Sequence, residues 1–204
     1  MSEFNKIIQL YPNNAFAINQ VVAPFIDLVD QYAFDFNDLS HYQVLLITEF
    51  VDQELLFKHK EAISQFLDEK KIVIYCGQLF RDFIPGATLF MPKRLISYHD
   101  YEIKIATNSS IFKGVKADDL TYNKGVAGFN ARGWYLPPKH AEISLTFKTG
   151  GVISYIDRET TKGTILVHAG RQLFGYKNQD KSTDVISVNV AKWVEDELTR
   201  LEGK

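Results

Sequence analysis

The sequence predicts one α/β domain with an open, mostly parallel sheet, helices on both faces and a β-rich C-terminal extension. In the first half, near-continuous apolar runs alternate with stretches of helical period, as in parallel sheets covered on both sides. In the second half, shorter and more alternating runs are separated by glycine-containing turns, as in antiparallel hairpins. The 204 residues contain no repeat or linker-like tract. We therefore expect a single domain over 1–204.

The N-terminal elements are predicted from the alternation of continuous apolar runs, typical of buried strands, with apolar residues at helical spacing. Lys6–Tyr11 is an apolar run before Pro12-Asn13-Asn14, which predicts a buried strand followed by a turn. Apolar residues then recur at helical spacing over 17–29, and Pro24 should kink this helix or end its regular part. Tyr32–Phe36 is predicted as the second strand.

A strand–helix–strand unit comes next. Gln43–Thr48 and Lys71–Cys76 are strands of almost entirely apolar composition, and Gly77 ends the second one. Between them, 52–70 carries its apolar residues on one helical stripe. Asp52 is the predicted N-cap, because its carboxylate can accept a hydrogen bond from a free amide of the first turn. We expect a right-handed βαβ unit in a parallel sheet.

The C-terminal half predicts an antiparallel extension and a closing helix. Its predicted strands are Glu102–Ala106, Ile143–Phe147, Gly151–Ile156 and Thr164–His168. The final helix is predicted over 184–201, where apolar residues recur on one face.

Composition excludes several classes of protein. The 23 Lys and Arg residues nearly balance 25 Asp and Glu residues, so nothing electrostatic favours a nucleic acid or an acidic membrane as partner. No apolar run approaches the roughly 20 residues needed to span a bilayer. The N-terminus lacks the features of a signal peptide, so a cytoplasmic location is expected. Aromatic residues make up 13% of the chain, and their exposed share could form an interface in a homo-oligomer.

No cofactor and no metal are expected. The turn after the first strand, Tyr11-Pro12-Asn13-Asn14, lacks the glycines that let backbone amides approach a phosphate. A single cysteine excludes a disulfide framework and a multi-cysteine metal site. His59 lies on the apolar stripe of its helix and is predicted to be packed rather than a ligand. His99-Asp100 is predicted to be a solvated turn.

The candidate site residues follow the predicted strand ends. Cys76 and His168 each close a strand, and ligands of open parallel sheets bind outside the carboxyl ends of the strands. A histidine beside a cysteine could activate it as a nucleophile. Gln78 and Arg81 follow the first strand and Arg171 follows the second, which favours an anionic small ligand. Structural ion pairs are the alternative role of these arginines.

A second group of candidates lies in a predicted loop. Arg132-Gly133-Trp134-Tyr135, followed by Pro137-Pro138, joins a guanidinium with aromatic rings. Arg132 and Trp134 could therefore hold a carboxylate or the face of a sugar. The alternative is a structural loop anchored by its aromatic residues.

The arrangement of these segments resembles the class I glutamine-amidotransferase-like superfamily. The similarity lies in 38–47 (DLSHYQVLLI), the following helix and 71–78 (KIVIYCGQ). The segments 111–115 (IFKGV) and 163–170 (GTILVHAG) are similar to the trehalose-utilisation-like and β-galactosidase-trimerisation-like branches. The resemblance covers roughly residues 5–200 and implies a flavodoxin-like sheet with an added β segment.

The resemblance also implies roles for two residues. Members that hydrolyse glutamine use a Cys–His–Glu triad, in which Cys76 matches the nucleophile and His168 the histidine. This chain departs from the pattern at three places: Ile74 replaces a glycine of the nucleophile turn, Gly170 replaces the triad glutamate, and 48–51 (TEFV) replaces the glycine pair of the oxyanion segment. Without the carboxylate, nothing fixes the tautomer of the histidine.

The leading hypothesis is therefore an amidotransferase-like domain without a complete triad, which binds a small anionic or sugar-like molecule or has a structural, oligomeric role. One alternative is a cysteine-dependent hydrolase or transferase that uses Cys76 and His168. A further alternative is carbohydrate-related recognition through Arg132 and Trp134. The sequence leaves open whether the protein is an enzyme.

Overall fold

The computed structural model describes residues 6–12, 23–123, 125–128, 130–177 and 179–203. The strands are β1 (Ile7–Tyr11), β2 (Ile26–Asp30), β3 (Val44–Ile47), β4 (Ile72–Cys76), β5 (Met91–Pro92), β6 (Ile103–Ile105), β7 (Gly133–Trp134), β8 (Glu142–Phe147), β9 (Val152–Asp157) and β10 (Thr164–His168). The α-helices are α1 (Gln53–Lys58), α2 (Lys60–Asp68), α3 (Ala117–Thr121) and α4 (Val185–Glu202).

The strands form an eight-stranded mixed sheet in the order β2-β1-β3-β4-β10-β9-β8-β6, and β5 pairs separately with β7. The five strands from β2 to β10 are parallel, whereas β9, β8 and β6 continue the sheet as antiparallel neighbours. Every residue of β3, β4 and β10 is buried, so the centre of the sheet is covered on both faces. The α/β class and the antiparallel extension predicted from the sequence are confirmed. The single-domain assignment stays a prediction.

The N-terminal prediction is correct for β1 and wrong further on. Residues 17–22 of the predicted helix, and most of the turn predicted before it, lie outside the described part of the chain. Its last residues form β2, which pairs in parallel register with β1 from Ile7–Ile26 to Tyr11–Asp30. Apolar residues at 26 and 29 fit a helical stripe, but hydrogen bonding to the neighbouring strand decides the conformation.

Tyr32–Phe36 is not a strand. The carboxylate of Asp30 accepts the Tyr32 N–H at 2.9 Å, and its carbonyl accepts the Ala33 N–H at 3.1 Å, which makes a turn. Phe36 then begins a 3₁₀-helix that ends at His41, and Asp35 caps its first turn. Side chains that hydrogen-bond their own backbone therefore replace the predicted strand with a turn and a short helix.

The helix predicted over 52–70 is two helices. The chain breaks between α1 and α2 at His59, whose φ and ψ are −105° and 19°. The imidazole of His59 stacks on Phe36 with ring centroids 4.0 Å apart, which confirms it as a packed residue. Asp52 is the N-cap as predicted, because its side chain accepts the N–H groups of Glu54 and Leu55.

The predicted C-terminal elements are all found, with ends that differ by one residue at most. Sequence analysis did not predict α3 or the two-residue strands β5 and β7, which are too short to show a period. None of the helices in the described ranges combines the length and apolarity that crossing a membrane requires.

A buried carboxylate joins α4 to the sheet. Glu197 of α4, which is 3% exposed, accepts hydrogen bonds from Arg158, Arg200 and the hydroxyl of Thr164 in β10. Arg158 also pairs with Glu142 of β8 at 2.7 Å. Burial by itself raises the pKa of Glu197, but the hydrogen bonds from Arg200 and Thr164 hold it below its usual value.

We expect Glu197→Ala to lower the free energy of unfolding by about 2–3 kcal/mol, because Arg200 loses its carboxylate partner and Arg158 keeps only Glu142. Urea unfolding followed by circular dichroism measures the change. Glu195→Ala, at an exposed position of the same helix, is the matched control and should change stability by less than about 0.5 kcal/mol. Equal effects of the two substitutions would contradict a structural role of this network.

Candidate functional site

The carboxyl ends of the central parallel strands surround a pocket of about 500 Å³. Its walls come from the turn after β3, the start of α1, the segments after β4 and β10, and the loop before β7. Parallel strands bring their carboxyl ends to one edge of a sheet, and the loops that leave them converge there. The pocket therefore lies where the sequence predicted a site.

Gly77 forms the floor of the pocket directly after β4. Its N–H donates to the carbonyl of His168 at 2.9 Å, and its carbonyl accepts the Tyr135 hydroxyl at 2.7 Å. Its φ of +143° is one that side chains with a Cβ rarely adopt. A Cβ here would also lie 3.3 Å from the Cα of Glu49. Glycine at this position lets the turn after β3 close against the end of β4.

Gly170 brings the loop before β7 against the segment after β10. It forms a β-bridge with Ala131, and a Cβ at position 170 would overlap the carbonyl oxygen of Asn130. The same Cβ would lie 2.6 Å from Nε2 of His168. This backbone contact leaves no room for the glutamate that the family resemblance would place at this position.

Cys76 and His168 are direct neighbours but do not line the pocket. They are an in-register pair of β4 and β10, so their side chains share one face of the sheet. Both are completely buried, and the next residues in the chain, Gly77 and Ala169, line the pocket instead. The expected adjacency is confirmed, whereas the expectation that both groups open onto a shared hollow is wrong. Both strands are buried along their whole length, including their last residues, Cys76 and His168.

Burial keeps both groups neutral. It raises the pKa of the Cys76 thiol far above its ordinary value, although a hydrogen bond from the Leu173 backbone opposes the shift. Burial lowers the pKa of His168 to about 3. Neither ring nitrogen of His168 has a hydrogen-bond partner in the described part of the chain. A neutral thiol beside a neutral imidazole is not the ionised nucleophile of a cysteine enzyme.

Three other candidates from the sequence lie on the pocket walls: Gln78, Arg132 and Arg171. Arg171 lies over the ring of Tyr176, with 5.1 Å between the guanidinium carbon and the ring centroid. Within the described ranges, neither Arg132 nor Arg171 forms an ion pair with a carboxylate. Two guanidinium groups that form no ion pair with any described residue therefore border one pocket.

Arg81 and Trp134 lie elsewhere, so the structure does not bring them to the pocket. Arg81 forms a two-point ion pair with Glu54, at 2.7 and 2.9 Å, and stacks over the ring of Phe57. This is the structural role considered for the arginines, with a carboxylate from the start of α1 as partner. Trp134 lies in β7 and packs on Gly151, where a Cβ would be only 2.8 Å from the indole.

Gln53, the first residue of α1, holds the wall that follows β4. Its Nε2 donates to the carbonyl of Gln78 at 2.7 Å and to the Tyr75 hydroxyl at 3.4 Å. Its Oε1 accepts the backbone N–H groups of Phe80 and Arg81 at 2.7 and 3.1 Å. Both the nitrogen and the oxygen of the side-chain amide are thus hydrogen-bonded, which fixes the segment that follows β4.

Glu49 is the pocket residue that sequence analysis missed as a candidate. It follows β3, and its Oε2 accepts the Gln172 N–H at 3.1 Å. Burial raises the pKa of its carboxyl, while the nearby charge of Arg171 opposes the shift. Gln78 and Arg171 were predicted because ligands of open parallel sheets bind outside the carboxyl ends of the strands. Glu49 follows the carboxyl end of β3, so the same argument could have identified it.

The structure gives no positive sign of a metal site. In the parts of the chain that it describes, no three His, Cys, Asp or Glu side chains are grouped to hold an ion. His99 pairs with Glu102 at 2.6 Å in an exposed turn, and Asp100 caps that turn.

Comparison with known proteins shows a likeness of fold alone. No protein-family model and no curated protein sequence matches the chain. The cold-adapted β-galactosidase from Rahnella sp. R3 has a TM-score of 0.53 at 12% identity, and the match covers 93% of this chain and 31% of that one. Gan42B, a GH42 β-galactosidase, has a TM-score of 0.42 at 11% identity, over 94% of this chain and 30% of that one. The chain thus spans under a third of these proteins.

We expect Cys76 to resist thiol reagents in the native protein at neutral pH, because its sulfur is buried and protonated. Reaction with 5,5′-dithiobis(2-nitrobenzoate) should become stoichiometric only in denaturant. Ser40→Cys, which adds a thiol at an exposed position, is the control that should react in the native state. Rapid labelling of native Cys76 that His168→Ala abolishes would instead support cysteine catalysis.

His168 should make the protein less stable in acid. Its pKa falls from 6.5 to about 3 on folding, so the unfolded chain binds the proton more tightly between these values. Stability is complete above about pH 6.5 and declines as the pH falls towards 3, by up to about 5 kcal/mol. His168→Leu should flatten this part of the profile, measured by urea unfolding at each pH. His41→Gln, at an exposed site, should leave it unchanged. Parallel profiles for wild type and His168→Leu would contradict the assignment.

Proposed function

We propose that the chain is a small-molecule-binding domain whose pocket takes an anionic ligand. The observation that carries this proposal is the presence of Arg132 and Arg171 on one pocket without ion-pair partners in the described residues. Guanidinium groups bind carboxylates and phosphates through two parallel hydrogen bonds, so a pair of them forms a strong anion site.

The other arginines support this interpretation. Three of the six arginines form ion pairs within the described chain: Arg81, Arg158 and Arg200. Two of the other three line this pocket. The chain as a whole has a formal charge of −2, so the positive character of the pocket is local.

The architecture supports an amidotransferase-like domain without a triad. The parallel strands follow the order β2-β1-β3-β4-β10. This order corresponds to the 2-1-3-4-5 order of flavodoxin-like sheets, which bind ligands at the carboxyl edge. Gly170 stands where the triad glutamate would be, and the buried state of Cys76 and His168 favours binding over cysteine catalysis. The cytoplasmic location and a homo-oligomeric assembly stay predictions.

A carbohydrate ligand is the second candidate. The exposed rings of Phe50 and Phe80 line the pocket, and aromatic rings can pack against the apolar face of a sugar. The likeness in fold to part of the Rahnella β-galactosidase adds a weak link to carbohydrates. Trp134, the aromatic residue expected from the sequence, does not line this pocket.

Titration calorimetry with D-glucuronate and D-glucose tests the anion site. We expect glucuronate to bind and glucose to bind at least about tenfold more weakly, because only the acid can pair with the arginines. Arg132→Gln and Arg171→Gln should each weaken glucuronate binding by about tenfold or more, and added salt should do the same.

Arg81→Gln is the matched control, since it removes an arginine that is already paired outside the pocket. It should leave glucuronate binding unchanged. Absence of binding by glucuronate, glucose 6-phosphate and citrate alike would contradict the proposal, as would an equal loss in all three arginine variants.

A further inference from the structure

The carboxyl group of Glu49 shares the pocket with the two arginines. Its Oε2 accepts the Gln172 N–H, and the carboxylate also accepts the backbone N–H of Glu49 itself. Its backbone lies against Gly77 on the pocket floor. An ionised carboxylate can accept about four hydrogen bonds, so the anion pocket also offers a carboxylate that can accept from a further donor.

The charge of Arg171 acts on Glu49 and opposes the rise in its pKa, but the two side chains form no ion pair among the described residues. The guanidinium lies over the ring of Tyr176. A simple oxyanion between the arginines would be repelled by an ionised Glu49. The arrangement suits a ligand that brings an anionic group to the arginines and a hydrogen-bond donor to Glu49.

Further polar groups of the pocket are also unused. The exposed side-chain amide of Gln78 has no hydrogen-bond partner in the described chain, and Nδ2 of the buried Asn130 has none either. Free donors and acceptors thus lie on several walls of a pocket of about 500 Å³, which is far larger than a bare oxyanion needs. A buried polar group without a partner costs stability, so this pattern favours a ligand with several polar groups.

We propose that the ligand is an acidic sugar, and that Glu49 selects it by accepting a hydrogen bond from a sugar hydroxyl. The arginines bind the carboxylate or phosphate, Glu49 and Gln78 bind hydroxyl groups, and Phe50 and Phe80 contact the apolar face of the ring. This proposal rests on the anion site proposed above. Beyond the anion site, the ligand must carry hydroxyl groups, because Glu49 needs a hydrogen-bond donor.

The test compares three acids by titration calorimetry: D-glucuronate, D-glucose 6-phosphate and cyclohexanecarboxylate, which has a six-membered ring and a carboxylate but no hydroxyl. Wild type should bind at least one sugar acid about tenfold more tightly than cyclohexanecarboxylate. The tighter of the two sugar acids then identifies carboxylate or phosphate as the anionic group.

Glu49→Gln should abolish this preference. The amide keeps an acceptor for the Gln172 N–H but presents a donor in place of Oε1, so sugar-acid affinity should fall by about tenfold. Cyclohexanecarboxylate should bind equally well or more tightly, because a negative charge has been removed. Glu54→Gln, which alters a carboxylate paired outside the pocket, is the matched control and should change neither affinity.

Gln78→Ala provides an independent variant at an exposed position, where loss of folding is not expected. It should weaken sugar-acid binding and leave cyclohexanecarboxylate binding unchanged. Equal affinity of wild type for all three acids, or a parallel loss for all of them in Glu49→Gln, would overturn the selection by Glu49 and leave the anion site intact. Failure of all three acids to bind wild type would instead overturn the anion site, and this inference with it.

Discussion

The parallel pairing of β4 with β10 is the constraint on which the rest of the structure depends. It runs in register from Ile72–Thr164 to Cys76–His168 and places a strand from the C-terminal half at the centre of the sheet. β10 also pairs with β9, so it joins the parallel strands to the antiparallel extension. Because β4 and β10 end at the same level, the segments after them leave from one edge. The hydrogen bond from the Gly77 N–H to the His168 carbonyl continues the pairing into the pocket floor.

This pairing determines which groups are accessible. The last side chains of the two strands, Cys76 and His168, are covered, while the segments beyond them form the walls. At Gly170 the backbone approaches Asn130 so closely that a side chain would not fit. Packing therefore covers the cysteine and the histidine, and the polar side chains that line the pocket come from the segments beyond the sheet edge. Arg171 and Gln78 occupy that position, as does Glu49 after β3.

The sequence predicted the central strands well and the edges poorly. Lys71–Cys76 and Thr164–His168 are apolar runs that end at polar or glycine positions, so their ends could be located within one residue. β2 was missed because its apolar spacing also fits a helix and only its pairing with β1 distinguishes the two. The depth of Cys76 and His168 depends on the loops that cover them, which periodicity does not describe. Glu49 was treated only as a departure from a motif, although its place after β3 was visible.

The side chain of Gln53 makes the pocket wall that follows β4 rigid. Its side-chain amide donates to the carbonyl of Gln78 and accepts the N–H groups of Phe80 and Arg81, which holds this segment in place without a ligand. A wall that is already ordered loses little conformational freedom on association, so more of the contact energy remains as affinity. Gln53, itself part of the pocket wall, would thus influence the retention of a bound molecule through the rigidity that it gives to the neighbouring segment.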